Sequence, residues 1–516
     1  MSPPKVELPR SYNMAVDLLH RHEREGRGDR IALIDDEGRY TYKDLAERAT
    51  RSAGAFRDLG VEPEQRVALC MLDGVDLVAA FFGAIYLGAV PVPLNTNLTT
   101  QDYAYLLRDS RARAVIASDA VMTKVQPAVP SGVEVAVAPT SLGGYRGSRV
   151  GWRSLLEATK RLPSLAPTTP DDVAFWLYSS GSTGQPKGAM HLHSSAIHTA
   201  ALYGQQILGI GPDDVVLSAA KLFFAYGLGN SISFPFSVGA TAVLMAERTT
   251  PAAVTRRLRE HAPTIFCGVP TLFAQLLADP SFGRESPRLR LATSAGEALP
   301  RHVGERWRER TGTEVLDGLG STELLHIFLS NRPDDVRFGT SGKPVPGYEL
   351  ELRSDAGGLS ADGEEGSLWV RGPTACTGYW CDRARSLATF HGPWTRTGDR
   401  YVRDADGYWT YCGREDDMLK VGGIWVSPFE VESALAAHPA VLEVAVVGAA
   451  DADELVKPKA FVVLQAGRDE SAELVEELKA FVKERLAPYK YPRWIEIVAE
   501  LPKTATGKIQ RFKLRR

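Results

Sequence analysis

The chain is short of cysteine, of net charge and of long apolar runs. Its 516 residues include only five cysteines, an odd and scattered set that indicates a reducing compartment rather than a disulfide framework. Cys376 and Cys381 form the one close pair, and with no second pair nearby they do not predict a metal site. The formal net charge of −3 and the pI of about 6.4 exclude a general attraction to nucleic acid or to an anionic membrane.

The longest apolar stretch, LVAAFFGAIYLGAVPVPL, runs from Leu77 to Leu94. Its glycine and prolines predict a buried helix that ends near Gly88, followed by an extended segment at Pro91 and Pro93, rather than a membrane span. The N-terminal stretch MSPPKVELPRSYNM has no apolar run of the kind that a signal peptide needs. We therefore expect a cytoplasmic protein with no membrane partner.

A chain of this length exceeds the roughly 250 to 300 residues at which a single core stops growing, so at least two domains are expected. Strand and helix patterns alternate along the first two thirds, which predicts an α/β fold with two helix-covered, mainly parallel sheets. DDVAFWLY, just before Ser179, is expected to be a strand of the second sheet. From about Tyr348 to Tyr411, strand signals separated by turn residues predict an antiparallel, β-barrel-like subdomain.

A new unit begins after Gly413. VSPFEVESALAAHP starts with a helix-capping serine and proline, and the rest supplies strands and one amphipathic helix. This indicates a small α+β domain. We expect a large N-terminal domain at residues 1–415 and a small C-terminal domain at residues 416–516, joined by a hinge in GREDDMLKVGG.

The most unusual segment is YSSGSTGQPKGAMHLH, from Tyr178 to His193. We expect a glycine and hydroxyl-rich loop between a strand and a helix, whose backbone N–H groups and lysine would bind phosphates. The loop does not match a Walker A motif, because Lys187 lies behind Pro186 and is followed by glycine. Taken alone, such a loop is weak evidence, because an ordinary surface turn also has this composition.

The full order S-G-S-T-G-x-P-K-G resembles the phosphate-binding signature of the adenylate-forming superfamily, which includes acyl-CoA synthetases, luciferases and adenylation domains of peptide synthetases. The other signatures of that superfamily follow in order, as GLGSTE (Gly318 to Glu323), TGD (Thr397 to Asp399), GREDDMLK (Gly413 to Lys420) and PKTATGK (Pro502 to Lys508). The ordered set covers essentially the whole chain, although TGD alone is usually a turn.

The resemblance implies ATP, Mg²⁺ and coenzyme A as cofactors. It implies that the β and γ phosphates are bound by Ser182, Thr183 and Lys187, the α phosphate by Thr322, Mg²⁺ by Glu323, the ribose by Asp399 with Arg414, and the reacting carboxylate and phosphate by Lys508. Further nucleotide contacts are implied for Ser179, Gly184, Ala295, Gly296, Glu297, Asp317 and Gly318. Glu323 taken alone also fits a carboxylate in the first turn of a helix.

The same resemblance implies that the C-terminal domain rotates between two half-reactions, with Asp416 as the pivot. Lys420 lies just beyond it, where a narrow pantetheine tunnel is expected. In APYKYPR, the residues Tyr489, Lys490 and Arg493 are candidates for coenzyme A contacts, and a solvated basic edge is the equal alternative. A homodimer is an expectation from the resemblance alone.

Between the motifs, AAKLFFAYGLGN, TSAGEALP, STELLHIFLSN and LAPYKYPR resemble benzoate-CoA ligases. The resemblance implies an aryl pocket lined by Ala225, Tyr226, Gly227, His326 and Ile327, in which Ala225 and Gly227 leave space for a flat ring. His326 either contacts the substrate or is a packed, hydrogen-bonded histidine behind the pocket.

Benzoate is the leading substrate, with 2-aminobenzoate, hydroxybenzoates and fluorobenzoates left open. The alternative functions are a free-standing adenylation enzyme that loads a carrier protein and a non-catalytic binding protein. Lys508 and Glu323 are both present, which argues against loss of catalysis.

Overall fold

The computed structural model describes residues 2–140, 142, 150–179, 185–415, 417–421, 424–451, 455–486, 490–503 and 509–515, with Lys420, Ile424, Trp425 and Phe512 described by their backbone alone. The strands of these residues, in chain order, are β1 Ile31–Ile34, β2 Arg39–Thr41, β3 Arg66–Cys70, β4 Val90–Pro93, β5 Ala114–Ser118, β6 Glu134–Ala138, β7 Val150–Gly151, β8 Val173–Ser179, β9 Lys187–Leu192, β10 Val215–Ser218, β11 Thr241–Val243, β12 Ile265–Gly268, β13 Leu291–Ala295, β14 Val315–Gly320, β15 Ile327–Ser330, β16 Lys343–Pro344, β17 Glu349–Arg353, β18 Glu365–Arg371, β19 Phe390–His391, β20 Trp394–Arg403, β21 Trp409–Arg414, β22 Leu419–Val421, β23 Ile424–Val426, β24 Val441–Ala450, β25 Val456–Leu464 and β26 Trp494–Ile497.

The α-helices of the same residues are α1 Arg21–Arg24, α2 Tyr42–Asp58, α3 Val75–Tyr86, α4 Thr100–Asp109, α5 Met122–Val125, α6 Trp152–Ala158, α7 His193–Thr199, α8 Ala225–Leu228, α9 Phe234–Val238, α10 Pro251–His261, α11 Pro270–Ala278, α12 Arg301–Thr311, α13 Arg383–Thr389, α14 Pro428–Ala436 and α15 Ala472–Lys483. Three segments are π-helical, Val16–His20, Ala200–Gln205 and Gly229–Ser233, and three are 3₁₀-helical, Asp119–Val121, Gln126–Ala128 and Arg511–Lys513.

Two sheets of mainly parallel strands form the body of the large N-terminal domain. One has nine strands in the order β16-β15-β14-β13-β12-β10-β11-β1-β2, and the other has five in the order β4-β3-β5-β6-β7. The five-stranded sheet is parallel throughout, while antiparallel pairs occur only near the two edges of the nine-stranded one. The predicted α/β class is confirmed, and the carboxyl ends of β13 and β14 meet at one edge, where ligands commonly bind in such sheets.

The long apolar stretch is a buried helix and an edge strand. Every residue of α3 except the last is buried, and the chain leaves this helix through Gly88 at φ +81°, a conformation that glycine adopts without strain. The next residues form β4 at the edge of the parallel sheet. Among the residues that the structure describes, no helix is long and apolar enough to cross a membrane.

Side-chain caps set several helix starts. Thr41 and Asp44 form a capping box at α2, and Thr99 and Asp102 form another at α4. Each box satisfies backbone N–H groups that the first helical turn leaves unpaired. At α14 the Ser427 side chain alone accepts from Glu430 N, and Pro428 is the first helical residue, as the sequence pattern predicts.

The chain after residue 348 changes to antiparallel structure. Strands β17, β18, β20 and β19 form a sheet in that order, and β21 also pairs with β20. The small C-terminal domain carries a three-stranded sheet, β24-β25-β26, whose apolar residues pack with α14 and α15 around Leu435, Val446 and Leu478. Both changes agree with the strand and helix patterns in the sequence.

The structure corrects one expectation about the glycine-rich loop. Strand β8 does not join the nine-stranded sheet, because it pairs with β9 in a separate antiparallel sheet in which Ser179 lies opposite Lys187. The loop therefore joins two strands, and the helix begins only at His193. A distant segment helps to hold β9 in this hairpin. Met190 N of β9 donates to Gly378 O, and Trp380 N donates to Gly188 O of β9.

Candidate active site

Three side chains meet beside the glycine-rich loop. Lys187 opens β9, Glu323 lies in the turn between β14 and β15, and Tyr379 lies between β18 and β20. The Lys187 ammonium donates to the Tyr379 hydroxyl at 2.6 Å, and this hydroxyl donates to Glu323 Oε1 at 2.7 Å. Lys187 Nζ is 3.4 Å from the same carboxylate oxygen. Glu323 is in a turn, so its interpretation as a helix carboxylate is wrong.

The carboxyl group of Glu323 is held ionised. Burial alone would raise its pKa, but the charge of Lys187 and the hydrogen bond from Tyr379 outweigh it and lower the pKa below the usual value. Within the described ranges, no three His, Cys, Asp or Glu side chains converge on a common point. A single ionised carboxylate nonetheless fits Mg²⁺, which in nucleotide sites takes one or two carboxylates and completes its shell with phosphate oxygens and water.

The far end of the loop is held from outside by two side chains. The Tyr105 hydroxyl of α4 donates to Pro186 O at 3.1 Å, and Arg385 of α13 donates to Gln185 O at 3.2 Å. Of the expected phosphate contacts, Ser182, Thr183 and Gly184 lie outside the described residues. Ser179 ends β8, and its hydroxyl is 3.5 Å from Glu323 Oε1.

The second nucleotide motif lies at the carboxyl ends of two neighbouring strands. Ser294 pairs with Asp317, and Ala295 pairs with Gly318. Gly296 follows in the left-handed region at φ +96°. Glu297 comes next, and its carboxylate accepts from Thr271 at 3.3 Å. Asp317 is 4% exposed, and burial raises the pKa of its carboxyl well above the usual value.

Asp399 and Arg414 are register partners on β20 and β21. Arg414 Nη1 is 3.0 Å from Asp399 Oδ1 and also donates to Thr397 O at 3.1 Å. The buried Tyr401 lies in the same strand as Asp399 and bonds Ser341 at 3.0 Å. Burial raises the pKa of Tyr401, and both Asp399 and Asp317 add to the effect.

The predicted pocket segments meet in the structure. Tyr226 in α8 and His326 before β15 have ring centroids 5.4 Å apart, and His326 Nε2 is 3.3 Å from Tyr226 O. The Tyr226 hydroxyl bonds Thr293 at 2.6 Å. His326 is 2% exposed and also packs against Phe234, and burial lowers its pKa to about 3. These contacts bond Nε2 to the backbone, whereas Nδ1 is buried with no hydrogen-bond partner among the described residues. Both interpretations of His326, as a packed histidine and as a substrate contact, therefore stay predictions.

Gly227 lies at a close approach of two backbone segments. A Cβ at this position would lie 2.1 Å from Lys221 O and 2.6 Å from Ala220 O, far inside contact distance. The glycine therefore permits α8 to approach the backbone carbonyl groups of Ala220 and Lys221. That Gly227 also leaves space for an aryl ring stays a prediction. Ala225 is the half-buried residue that opens this helix.

Comparison with known proteins identifies the family. The profile of the AMP-binding enzyme family matches residues 20–380, and that of the AMP-binding enzyme C-terminal domain matches residues 430–508. A benzoate-CoA ligase of Thauera aromatica is 55% identical over 520 residues, which cover 100% of this chain and 98% of the relative. The chain belongs to the benzoate-CoA ligase family of AMP-binding enzymes.

Solved structures agree with this membership. A benzoate CoA ligase from Burkholderia xenovorans LB400 superposes with a TM-score of 0.92 at 53% identity, covering 98% of this chain and 100% of that one. An anthranilate CoA ligase in complex with anthranoyl-AMP superposes with a TM-score of 0.93 at 42% identity, covering 98% and 97%. The fold of the whole chain is that of adenylate-forming enzymes.

The structure describes the residues on either side of the C-terminal lysine motif of the family. Lys508 and the four residues before it lie outside the described residues. On either side, Lys503 bridges Ile509, and Gln510 N donates to Pro502 O at 2.7 Å. Glu432 of α14 accepts Arg511 Nε at 3.0 Å and Nη2 at 2.6 Å. The two ends of the motif are thus bound to the body of the C-terminal domain.

The structure describes only some of the residues that the family resemblance assigns to coenzyme A. Lys490 Nζ bonds both oxygens of Glu430, at 2.6 and 2.7 Å, so it is not a simply solvated lysine. Arg493 is exposed and donates to the Tyr491 hydroxyl. The backbone of Lys420 pairs with Trp425 across β22 and β23. Tyr489 and Asp416 lie outside the described residues.

Sequence reasoning missed Tyr379. In TGYW an aromatic residue between glycine and tryptophan is typical of a core or turn position, and nothing local connects it with Lys187 or Glu323. The signal is tertiary, since Tyr379 forms an isolated β-bridge with Ala189, two residues after Lys187 on β9.

Proposed function

We propose that this chain is an ATP-dependent aryl-CoA ligase. It joins an aryl carboxylate to AMP with release of pyrophosphate, and then transfers the aryl group to the thiol of coenzyme A with release of AMP. The observation that carries the proposal is the pairing of Lys187 with Glu323 beside the glycine-rich loop. It brings one cation for phosphate and one ionised carboxylate for a metal to the same place, in a chain 55% identical to a benzoate-CoA ligase along its whole length.

In the first half-reaction two anions must approach each other, so the site must supply positive charge and hydrogen-bond donors. Lys187, Ser182 and Thr183 serve the β and γ phosphates in this proposal, and Thr322 serves the α phosphate. Lys508 neutralises the charge that develops between the aryl carboxylate and that phosphate. Ser179, Gly184, Ala295, Gly296, Glu297, Asp317 and Gly318 complete the nucleotide site.

Glu323 is the residue that would hold Mg²⁺, because its carboxyl is ionised and lies beside the lysine assigned to phosphate. The ion, when bound, supplies positive charge to the phosphate oxygens. Asp399 accepts hydrogen bonds from the ribose hydroxyls, and its ion pair with Arg414 holds the carboxylate in position to accept them.

The second half-reaction requires a different face of the C-terminal domain. We infer that the N-terminal domain covers residues 1–415 and the C-terminal domain residues 416–516, with Asp416 as the hinge. Lys420 then borders the path of the thiol. Lys490 and Arg493, with Tyr489, remain the candidate contacts to coenzyme A, and Lys490 must exchange its bond with Glu430 to reach a phosphate.

Benzoate is the substrate that the pocket favours. Tyr226 and Ile327 supply apolar surface, and Tyr226 uses its hydroxyl on Thr293. His326 is neutral and bonded to backbone. The described pocket residues therefore present no charged group to a ring substituent. A small substituent changes binding in an apolar pocket by only about 1 to 3 kcal/mol, so substituted benzoates are expected as slower substrates.

The test is coenzyme A-dependent AMP formation by the purified enzyme with ATP and Mg²⁺. The acids to compare are benzoate, 2-aminobenzoate, hydroxybenzoates, fluorobenzoates, cyclohexanecarboxylate and a medium-chain fatty acid. We expect kcat/KM to be highest for benzoate and lowest for the fatty acid. No AMP from any aryl acid would refute the ligase proposal.

Pyrophosphate release without use of free coenzyme A would instead indicate an adenylation enzyme that serves a carrier protein. A homodimer and a cytoplasmic location stay predictions, which sedimentation and cell fractionation would test.

A further inference from the structure

The Tyr379 hydroxyl is the central atom of the charged cluster. It accepts from Lys187 at 2.6 Å and donates to Glu323 Oε1 at 2.7 Å, which is also the oxygen nearest to Lys187 Nζ and to the Ser179 hydroxyl. These contacts from described side chains all converge on one oxygen of the carboxylate. The Tyr379 hydroxyl therefore holds one oxygen of the carboxylate in a defined place.

The tyrosine is rigidly held. It is 3% exposed, and its ring packs against Phe390 with centroids 5.4 Å apart. Its backbone N–H donates to Ser386 Oγ at 2.9 Å, and the residue bridges Ala189 of β9. The same segment also reaches the backbone of Glu323, because Cys376 N donates to the main-chain carbonyl oxygen of Glu323 at 2.8 Å. A side chain fixed at so many points keeps its hydroxyl in one place when a ligand arrives.

The hydroxyl is the donor in its bond to Glu323, because an ionised carboxylate can only accept a hydrogen bond. A hydrogen bond from a neutral hydroxyl to an ionised carboxylate is among the stronger ones in proteins.

We propose that Tyr379 is a positioning residue that holds the Glu323 carboxylate in place for the metal that accompanies ATP. The proposal rests on the proposed function. Lys187 is assigned to the phosphates, so nucleotide binding draws it away from the carboxylate. The Tyr379 hydroxyl bond then remains to orient Glu323, and the enzyme distinguishes metal-bound from metal-free ATP through it.

The test variant is Tyr379→Phe, which keeps the ring and its packing and removes only the hydroxyl. Calorimetry measures the dissociation constant of ATP with Mg²⁺ and, separately, with EDTA. We expect Mg·ATP binding to weaken about tenfold, the scale of one charge-assisted hydrogen bond, and metal-free ATP binding to change less than about twofold. In turnover assays the Mg²⁺ concentration for half-maximal rate rises, while the KM for benzoate is unchanged.

The matched control is Tyr42→Phe. Tyr42 is fully buried, and its hydroxyl donates to Ala240 O at 2.6 Å, away from the cluster. This variant loses a buried hydroxyl bond too, and its ratio of Mg·ATP to metal-free ATP affinity should match the wild type. Equal weakening of both ATP forms in Tyr379→Phe, or no weakening of either, would overturn the proposal.

The wild type separates this proposal from the proposed function. If wild-type enzyme binds Mg·ATP more tightly than metal-free ATP but forms no aryl adenylate, the proposed function fails while the role of Tyr379 can still be measured. If it makes the thioester and Tyr379→Phe keeps wild-type metal dependence, only the role of Tyr379 fails.

Discussion

At the scale of single residues, the charges of the candidate site are balanced by partners within the chain. Lys187 faces Glu323, and Arg414 faces Asp399. When a ligand binds, these side chains exchange their bonds to each other for bonds to the ligand. Because neither charge is left unpaired in the free site, the desolvation cost of burying it is limited. Substitutions that remove one partner should change ligand binding more than they change the fold.

Lys508→Ala should abolish adenylate formation from acid and ATP, and should spare thioester formation from supplied benzoyl-AMP. The lysine is assigned to charge that develops only in the first half-reaction. Pyrophosphate exchange measures the first step, and release of AMP from benzoyl-AMP with coenzyme A measures the second.

A suitable control is Lys503→Ala, in the same motif. Lys503 pairs with Glu443 at 2.5 Å, so its loss disturbs the same segment without removing the assigned catalytic group. Equal loss of both half-reactions in Lys508→Ala would contradict this division of labour.

Gly227→Ala should impair the enzyme with every aryl acid, whatever its size. The added Cβ would collide with the carbonyl oxygens of Lys221 and Ala220, and overpacking of this kind costs about 1 to 3 kcal/mol of the free energy of unfolding. Thermal unfolding and kcat/KM for benzoate and fluorobenzoates measure both effects.

Gly211→Ala is the matched control, because nothing lies within 4 Å of a Cβ at Gly211. Selective loss of the larger acids in Gly227→Ala, with unchanged stability, would restore the view that this glycine only makes room for substrate.

At the scale of elements, the predicted hinge has different anchors on its two sides. Glu415 accepts from Ser367 at 2.5 Å and pairs with Arg396 at 2.5 Å, both in the antiparallel sheet of the N-terminal domain. Asp417 instead pairs with Arg515, near the C-terminal end. The side-chain partners therefore differ before and after residue 416, while the backbone N–H groups of Asp417 and Met418 both donate to Arg414 O at 3.1 Å. The pivot at Asp416 stays a prediction.

Asp416→Pro should leave pyrophosphate exchange intact and block the thioester step, because proline fixes φ and opposes rotation at the hinge. The two half-reaction assays measure this separation. Asp416→Ala keeps the backbone free and should retain both steps. Loss of exchange in the proline variant alone would argue against a pivot at this residue.

At the scale of the whole molecule, buried ionisable groups link stability to pH. Burial lowers the pKa of several histidines, to about 4 for His20, His22, His191 and His193 and to about 3 for His326. Between these values and about 6.5 the unfolded chain binds more protons than the folded one. Asp73 opposes the effect, because burial raises its pKa to about 6, and the buried Asp317 acts in the same direction as Asp73.

Stability should therefore be greatest above about pH 6.5 and should fall as the pH drops toward 4, since the histidines outnumber the opposing carboxyls. Each buried histidine changes the free energy of unfolding by up to about 1.4 kcal/mol per pH unit between its pKa in the folded chain and about 6.5. Melting temperature against pH measures the slope. His193→Gln should show a shallower fall, whereas His391→Gln, at an exposed position, should follow the wild type. A constant melting temperature from pH 7 to 4.5 would contradict the argument.

The sequence alone determined the features that depend on residues close together in the chain, namely the individual helices and strands and the ordered motifs. Apolar periodicity, caps such as Ser427 and the break at Gly88 specify helices and strands through contacts a few residues apart. The ordered motifs from the glycine-rich loop to Lys508 also identified the superfamily, because their spacing and residue types are visible in one dimension.

Only the tertiary structure decided how distant segments meet. It placed Tyr379 between Lys187 and Glu323, and it turned the strand and loop at Ser179 into a hairpin. It also assigned Gly227 to a close backbone approach. The Tyr379 contacts join segments far apart in the chain. The hairpin and the approach at Gly227 are local, but they depend on a backbone path that propensity and periodicity do not encode.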